Sequence, residues 1–299
     1  MRFAKGHGTG NDFVILPDPD GRLDLTPQLV ARICDRRTGL GADGVLRVIT
    51  AKAAADIADP EDTWAQHAAE QSAEWFMDYR NADGSVAEMC GNGIRVFARY
   101  LLDNDLAAGP ELPIGTRTGV RLVRQSDTEG AKGTAGELIA EMGPAVVTGT
   151  GTARIGERSC DGLAISVGNP HLTCLTDIPV ADFDLTRPPV LERGLFSDGA
   201  NVEVLRLTGP RRVEMRVYER GSGATLSCGT GAVATAVAAA VAAGEWEPGT
   251  GAREAGAWTV DVPGGRLTVT PSATASLLSG PAVIVATGEL DRAWLSATA

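Results

Sequence analysis

One short pattern occurs twice in this chain, and any fold must build it twice in the same way. Asn81-Ala82-Asp83-Gly84-Ser85 leads into Cys90-Gly91-Asn92-Gly93 and an apolar helix, while Glu219-Arg220-Gly221-Ser222-Gly223 leads into Cys228-Gly229-Thr230-Gly231 and another. Each block begins nine residues before its cysteine and follows a strand-like run. Further upstream, Gly10-Asn11-Asp12-Phe13 is answered by Gly168-Asn169-Pro170-His171. Two pseudo-equivalent halves are the economical reading.

The rest of the pattern fills in those halves. β-Branched and aromatic runs predict strands at Phe13 to Leu16, Val45 to Ile49, Trp75 to Tyr79, Gly119 to Val123, Leu138 to Met142, Val202 to Leu207, Arg212 to Glu219, Thr259 to Val262 and Leu267 to Thr270. Val262-Pro263-Gly264-Gly265-Arg266 reads as a hairpin turn, so antiparallel or mixed sheets follow. Thr26-Pro27 opens one helix, with Leu29, Val30, Ile33 and Cys34 on one face. The helix after Cys90 aligns Ile94, Phe97 and Leu101, with Arg95 and Arg99 elsewhere around it. The helix after Cys228 runs through alanine and valine to Gly244 and is apolar on every side, so it must be buried all round. A helix threaded through a curled sheet satisfies that. Residues 51–75 break the pattern: six acids against one lysine suggest a solvated insertion or surface helix without chemistry.

Composition excludes several classes. With 299 residues, 43% hydrophobic and 22% charged, the chain is globular and long enough for two modest domains. Its net charge of −11, with no basic run, argues against nucleic-acid binding. The longest uncharged apolar stretch, Ala232 to Ala243, is too short to span a bilayer, and Met1 to His7 shows no signal-peptide core, so a cytoplasmic protein without a membrane partner is expected. Five cysteines without a C-x-x-C pair suggest reduced thiols rather than a disulfide framework or a metal site.

The paired C-G-x-G turns carry the chemistry. A cysteine at a helix start meets unpaired N–H groups and the positive end of the helix dipole, both of which favour thiolate. The glycines let the backbone approach closely, so those amides can also hold a carboxylate. Two matched thiols suit inversion of a stereocentre, in which one group removes a proton from one face and the other delivers one to the opposite face. The developing enediolate charge would need helix-start amides in a dry site. No lysine in a cofactor context points to pyridoxal phosphate, and no cofactor is expected.

These segments resemble the diaminopimelate epimerase family. The matches are Lys5 to Phe13, Asp35 to Gly44, Asn81 to Ser85 through Met89 to Gly93, Gly168 to His171, Tyr218 to Gly221, and Ser227 to Gly231, in family order over nearly the whole chain. The resemblance implies cofactor-independent interconversion of LL- and meso-diaminopimelate in lysine biosynthesis, with Cys90 and Cys228 as the acid/base thiols. It implies that Asn11, Asn81, Asn169, Asn201 and Arg220 hold the distal carboxylate and amine. Gly91-Asn92 and Gly229-Thr230 would hold the reacting carboxylate, and His171 and Glu219 would stand around the reacting centre. The implied fold is α+β, with two pseudo-symmetric lobes, each a curled, mostly antiparallel, barrel-like sheet around a central helix, and the active site in the cleft between them. The N-terminal lobe is expected over 1–133 with return of 281–299, and the C-terminal lobe over 134–280. A homodimer is expected by analogy.

Two positions depart from the family pattern. Many members carry glutamine where Gly44 stands, and glutamate where Ala224 stands. Two other functions compete. Proline or hydroxyproline racemases share the fold but usually have histidine where Asn92 stands; a thiol redox protein would use Cys90 and Cys228 as a reversible disulfide. Cys34 on a helix face, Cys174 in a strand and Cys160 in a loop read as packing residues. His7 and His67 read as structural or exposed.

Overall fold

The computed structural model describes residues 1–59, 61–126, 136–192, 194–249, 251–252 and 256–296. The sequence-expected boundary at 133/134 lies outside the described residues. The chain forms two compact units: Met1–Gly8, Asp12–Ala140 and Pro281–Ala299 make one, and Thr9–Asn11 with Glu141–Gly280 the other.

The first unit contains β1 (Arg2–Gly8), β2 (Asn11–Pro17), α1 (Pro27–Cys34), β3 (Gly44–Thr50), α2 (Ala51–Ile57), α3 (Trp64–Glu70), β4 (Trp75–Asn81), α4 (Gly91–Asp103), β5 (Glu111–Thr116), β6 (Gly119–Gln125) and the start of β7 (Leu138–Gly143). Strands β2 and β3 pair in parallel, β3 and β4 antiparallel, β4 and β5 in parallel, and β5, β6 and β7 antiparallel in turn. Thr26 caps α1 through its hydroxyl, as the Thr-Pro signal requires, and Val30, Ile33 and Cys34 enter a core with Val14, Leu16 and Val45. The acidic segment folds into α2 and α3. Their Ala54, Ala65 and Ala68 are buried with Ile49 and Phe76, while the acids face water.

The second unit contains β8 (Val146–Ile155), β9 (Arg158–Ser166), β10 (Pro170–Leu175), β11 (Val190–Leu191), β12 (Asn201–Gly209), β13 (Arg212–Glu219), β14 (Gly223–Thr225), α5 (Gly229–Ala242), β15 (Trp246–Glu247), β16 (Gly251–Ala252), β17 (Trp258–Val262), β18 (Gly265–Thr270) and β19 (Ser276–Gly280). The chain then returns as β20 (Val283–Glu289), antiparallel to β1, and ends in α6 (Arg292–Ser296).

The duplication is explicit in the pairings. In the second unit β10 and β12 are parallel, β12 and β13 antiparallel, β13 and β17 parallel, and β17, β18 and β19 antiparallel in turn. This repeats the order and direction of β2 through β7, with a helix after the third strand in both. The register matches too: Phe13 pairs with Gly44 where His171 pairs with Asn201, and Gly44 pairs with Asn81. Leu46 and Glu203 therefore hold the same strand position, as do Asn81 and Glu219. The strands form a mixed sheet that does not close, so the barrel-like expectation becomes strands that curl without closing.

Helices α4 and α5 are both buried. Helix α4 is buried from Gly91 to Leu101, including Arg95 and Arg99. The two arginines are not a solvated face: Arg95 folds back to donate to Gly91 O and Asn92 Oδ1, both at 2.9 Å, and Arg99 donates to Gly136 O at 2.7 Å. Helix α5 is buried almost throughout and packs on β10, β12, β13, β17, β18 and β19, which accounts for its lack of a polar face.

Charge pins the turn leading into β2. Lys5 Nζ donates to Asp12 at 2.6 Å and to Gly41 O, and Arg36 bridges Asp12 and Asp43, each at 2.7 Å. Burial opposes ionisation of Asp12, but the hydrogen bonds from Arg36 and Lys5 outweigh it and hold its carboxyl at about 2. A depressed folded-state carboxyl stabilises fully above the unfolded value and loses that stabilisation as pH falls through the folded one. Asp12→Asn should therefore lower Tm near neutral pH, by a stability loss of about 1–2 kcal/mol. The difference from the parent chain should shrink between about pH 4 and pH 2 in thermal melts.

Candidate active site

The two C-G-x-G turns are built alike. Cys90 and Cys228 are the N-caps of α4 and α5, both with extended backbone, and each sulfur accepts from the amide three residues on, Gly93 N and Gly231 N, at 3.3 Å. Serine, threonine, aspartate or asparagine is the usual N-cap because oxygen accepts these amides well. Cysteine gives up part of that stabilisation for a group that can carry a proton. A Cβ at Gly93 would stand 3.2 Å from Cys90 Cβ, and one at Gly231 would meet Glu203 Oε1 at 2.6 Å, so both turns need the space.

Around Cys228 the second unit assembles most of its expected residues. Thr230 Oγ1 lies 3.5 Å from the sulfur and accepts from Asn169 Nδ2 at 3.3 Å. His171, fully buried, places Nε2 2.9 Å from Asn169 Oδ1 and Nδ1 2.7 Å from Glu203 Oε1. Glu219 ends β13, accepts from Thr225 Oγ1 and is hydrogen-bonded to Cys228. Asn201 Oδ1 accepts from Arg220 N at 2.8 Å, which orients the residue whose exposed guanidinium reaches Asp198 O at 3.3 Å. Gly229 is buried as the first residue of α5.

The thiolate expectation fails at Cys228. Burial first, and then the charges of Glu219 and Glu203, push its thiol well above the usual value, against the lowering effect of Thr230 and the Gly231 amide. One hydrogen-bonded helix start does not offset complete burial beside two carboxylates. Burial also raises Glu219 despite its bonds from Thr225 and Cys228. Cys228 therefore holds its proton tightly.

The first unit surrounds Cys90 differently. Asn92 is fully buried and held by Arg95, whose guanidinium burial lowers to about 10, opposed by the charges of Cys90 and Glu137. Asn81 closes a turn, donating Nδ2 to Ser85 Oγ at 3.0 Å, and Gly91 starts α4. Asn11 opens β2. Gly44 lies opposite Asn81, and a Cβ there would come within 2.5 Å of Arg80 O, so this chain's β4 leaves no room for the family's glutamine without moving. Ala224 is exposed on β14.

Arg95, Glu203 and Thr225 escaped the sequence reading. The available signal for Glu203 was one acid between Val202 and Val204-Leu205, which alternation assigns to an outer face. The other three cysteines pack: burial raises Cys34 and Cys174 to about 12 each and also raises Cys160. Cys160 lies in strand β9 rather than a loop, and its carbonyl faces Cys174 Sγ at 3.7 Å. Among the described residues no three His, Cys, Asp or Glu side chains converge as a metal set, and no helix is long and apolar enough to cross a membrane.

Comparison with known proteins places this arrangement. The family model described as diaminopimelate epimerase matches residues 3–148 and 163–291. The chain belongs to the diaminopimelate epimerase family. It is 54% identical over 291 residues to the diaminopimelate epimerase of Thermobifida fusca, covering 97% of this chain and 98% of that one. It is 49% identical over 305 residues to that of Mycolicibacterium smegmatis, covering all of both chains. Among solved structures, a hydroxyproline epimerase from Agrobacterium vitis with bound trans-4-hydroxy-L-proline is similar at TM-score 0.60 and 15% identity, over 96% of this chain and 91% of that one. A PhzF-family protein from Bacillus anthracis is similar at TM-score 0.62 and 15% identity, over 97% and 98%. These two share the fold. The family is one of isomerases, and the duplicated topology is its α+β architecture.

The electrostatics yield a direct test. Removing a like charge beside a thiol favours thiolate, so Glu219→Gln should speed alkylation of Cys228 at fixed pH, read by peptide mass spectrometry, with Cys90 unchanged.

Proposed function

We propose that this chain is a cofactor-independent epimerase that interconverts LL- and meso-diaminopimelate for lysine biosynthesis, with Cys90 and Cys228 as the two acid/base thiols. The carrying observation is the sulfur cap built twice, on the same strand topology and with the same 3.3 Å amide contact. Membership of the family, at about half identity over nearly the full length of named diaminopimelate epimerases, supports the substrate.

In this reading the substrate's reacting carboxylate lies on the helix-start amides of Gly91-Asn92 and Gly229-Thr230, where charge develops as the α-proton leaves. One thiolate takes that proton while the other thiol delivers its own to the opposite face, and the roles exchange with direction. Glu219, hydrogen-bonded to Cys228, is the acceptor through which that thiol loses its proton. The thiolate left behind keeps the Gly231 amide as a donor. Arg220 suits a bidentate contact with the distal carboxylate, with Asn11, Asn81, Asn169 and Asn201 supplying the remaining polar contacts. His171 supports the reacting centre from within the core. A homodimer and a cytoplasmic location enter the proposal from the family resemblance alone.

Turnover in deuterium oxide should place solvent deuterium at one α-carbon of diaminopimelate. Cys90→Ala or Cys228→Ala should each reduce epimerisation at least about 10²–10⁴-fold. Normal turnover by either variant, or activity on proline with none on diaminopimelate, would overturn the proposal.

A further inference from the structure

A chain of side-chain hydrogen bonds runs from Cys228 to a buried carboxylate that the sequence reading passed over. Sγ of Cys228 lies 3.5 Å from Thr230 Oγ1, which accepts from Asn169 Nδ2 at 3.3 Å. Asn169 Oδ1 lies 2.9 Å from His171 Nε2, and His171 Nδ1 lies 2.7 Å from Glu203 Oε1. Both His171 and Glu203 are sealed from solvent. Glu203 Oε2 has no hydrogen-bond partner among the described residues, so the imidazole is what holds this carboxylate.

The bonding capacities fix the direction of the chain. A carboxylate only accepts, so Nδ1 turns its hydrogen to Glu203, and the other ring nitrogen faces Asn169 Oδ1. With its oxygen engaged by the ring, Asn169 turns its NH₂ toward Thr230. A hydroxyl that accepts from an amide retains its own proton to donate, and the neighbour in reach is the sulfur. Glu203 holds the ring through Nδ1, so the placement of every later link depends on it. At the matching positions of the first unit, Phe13 and Leu46, both fully buried, stand in place of His171 and Glu203.

We propose that Glu203 is a positioning residue for Cys228, which acts through His171 and Asn169 to fix the Thr230 hydroxyl as a donor to the sulfur. This rests on Cys228 being an acid/base thiol: the thiolate it forms then accepts from both the Gly231 amide and the Thr230 hydroxyl. The charged groups facing the sulfur are Glu219 from β13 and Glu203 from β12, with His171 from β10 beside both carboxylates. Other charges on the strands around α5 pair away from it, Arg206 with Glu214 and both Arg212 and Arg266 with Asp261, while Arg216 donates to Val180, Ala181 and Phe183 carbonyls.

The sign of one measurement separates this relay from simple charge. The full chain, without substrate, is treated with iodoacetamide at fixed pH below the thiol midpoint, and loss of Cys228, Cys90 and Cys174 is followed by peptide mass spectrometry. Loss of the fixed hydroxyl donor in Glu203→Gln should slow Cys228 about three- to tenfold, a shift of about half to one pH unit. Thr230→Val should slow it similarly, the double variant no further than either alone, and Cys90 should not change. If Glu203 acted only by its charge, Glu203→Gln would speed Cys228. Faster or unchanged alkylation, or additive slowing, overturns the proposal. Cys174, buried in the same unit, reports any loosening of the fold. Should Glu203→Gln loosen it, the pair His171→Phe with Glu203→Leu restores the apolar residues of the other half and must also slow Cys228. Because no turnover is read, absence of epimerase activity in the parent chain would remove the functional reading without touching this result.

Discussion

A sulfur that caps a helix with no exposed side is the constraint on which the rest of this protein depends. A buried helix N-terminus must have its amides satisfied from within the protein, since water cannot reach them. At both turns the partner is a cysteine sulfur at 3.3 Å, a weaker acceptor than the oxygen of a usual cap. Such an end persists only because the helix behind it is held by tertiary packing. In α5 that packing is an alanine and valine surface in contact with strands on all sides; in α4 it includes two arginines turned back onto backbone carbonyls. The curled sheets thus fix the caps as much as they enclose a core.

From similar extended caps the two turns acquire different electrostatic surroundings. Cys90 has a buried guanidinium in its vicinity, and that cation is destabilised by burial but favoured by the cysteine's negative form. Cys228 faces Glu219 and Glu203 in a sealed environment, which favours the protonated thiol. The substitutions responsible are few and lie at matching register: Phe13 against His171, Leu46 against Glu203, Asn81 against Glu219. Arg95 and Val233, each five residues after its cysteine, add a fourth.

The repeat, the strands rich in β-branched residues and the all-apolar helix were legible because each reflects burial repeated at a regular spacing. Strand β8 was not, since Val146–Ile155 runs through Thr148-Gly149-Thr150-Gly151, where neither alternation nor propensity marks a strand and pairing with β9 and β11 decides it. Cys160 looked like a loop for the same reason, being flanked by Arg158-Ser159 and Asp161-Gly162. In helix α4 the sequence marks only the line of Ile94, Phe97 and Leu101; that Arg95 and Arg99 are buried as well follows from the carbonyls they find inside. The cysteines and asparagines of the site could be named from the repeat and the resemblance. Glu203 could not, because a lone acid in an apolar strand is read as pointing outward until its histidine partner, 32 residues away in sequence, is located beside it.

The broken symmetry bears on a requirement of any two-base inversion. Such a site works with one partner protonated and the other not, and two identical thiols in identical surroundings would leave that distribution undecided. For the proposed pair of Cys90 and Cys228, a cation near one sulfur and acids near the other decide it in advance. The bias cannot be large, because each pH unit of preference is worth about 1.4 kcal/mol and would burden the reverse direction, in which the roles exchange. The hydrogen bond between His171 and Glu203 engages one of the two carboxylates, while the other, Glu219, is bonded to the sulfur itself. A buried acid so near the Cys228 sulfur is tolerable because it is hydrogen-bonded to a histidine, and it reaches the sulfur in two ways of opposite sign, as a charge that favours the thiol and, through Asn169 and Thr230, as a placed hydroxyl.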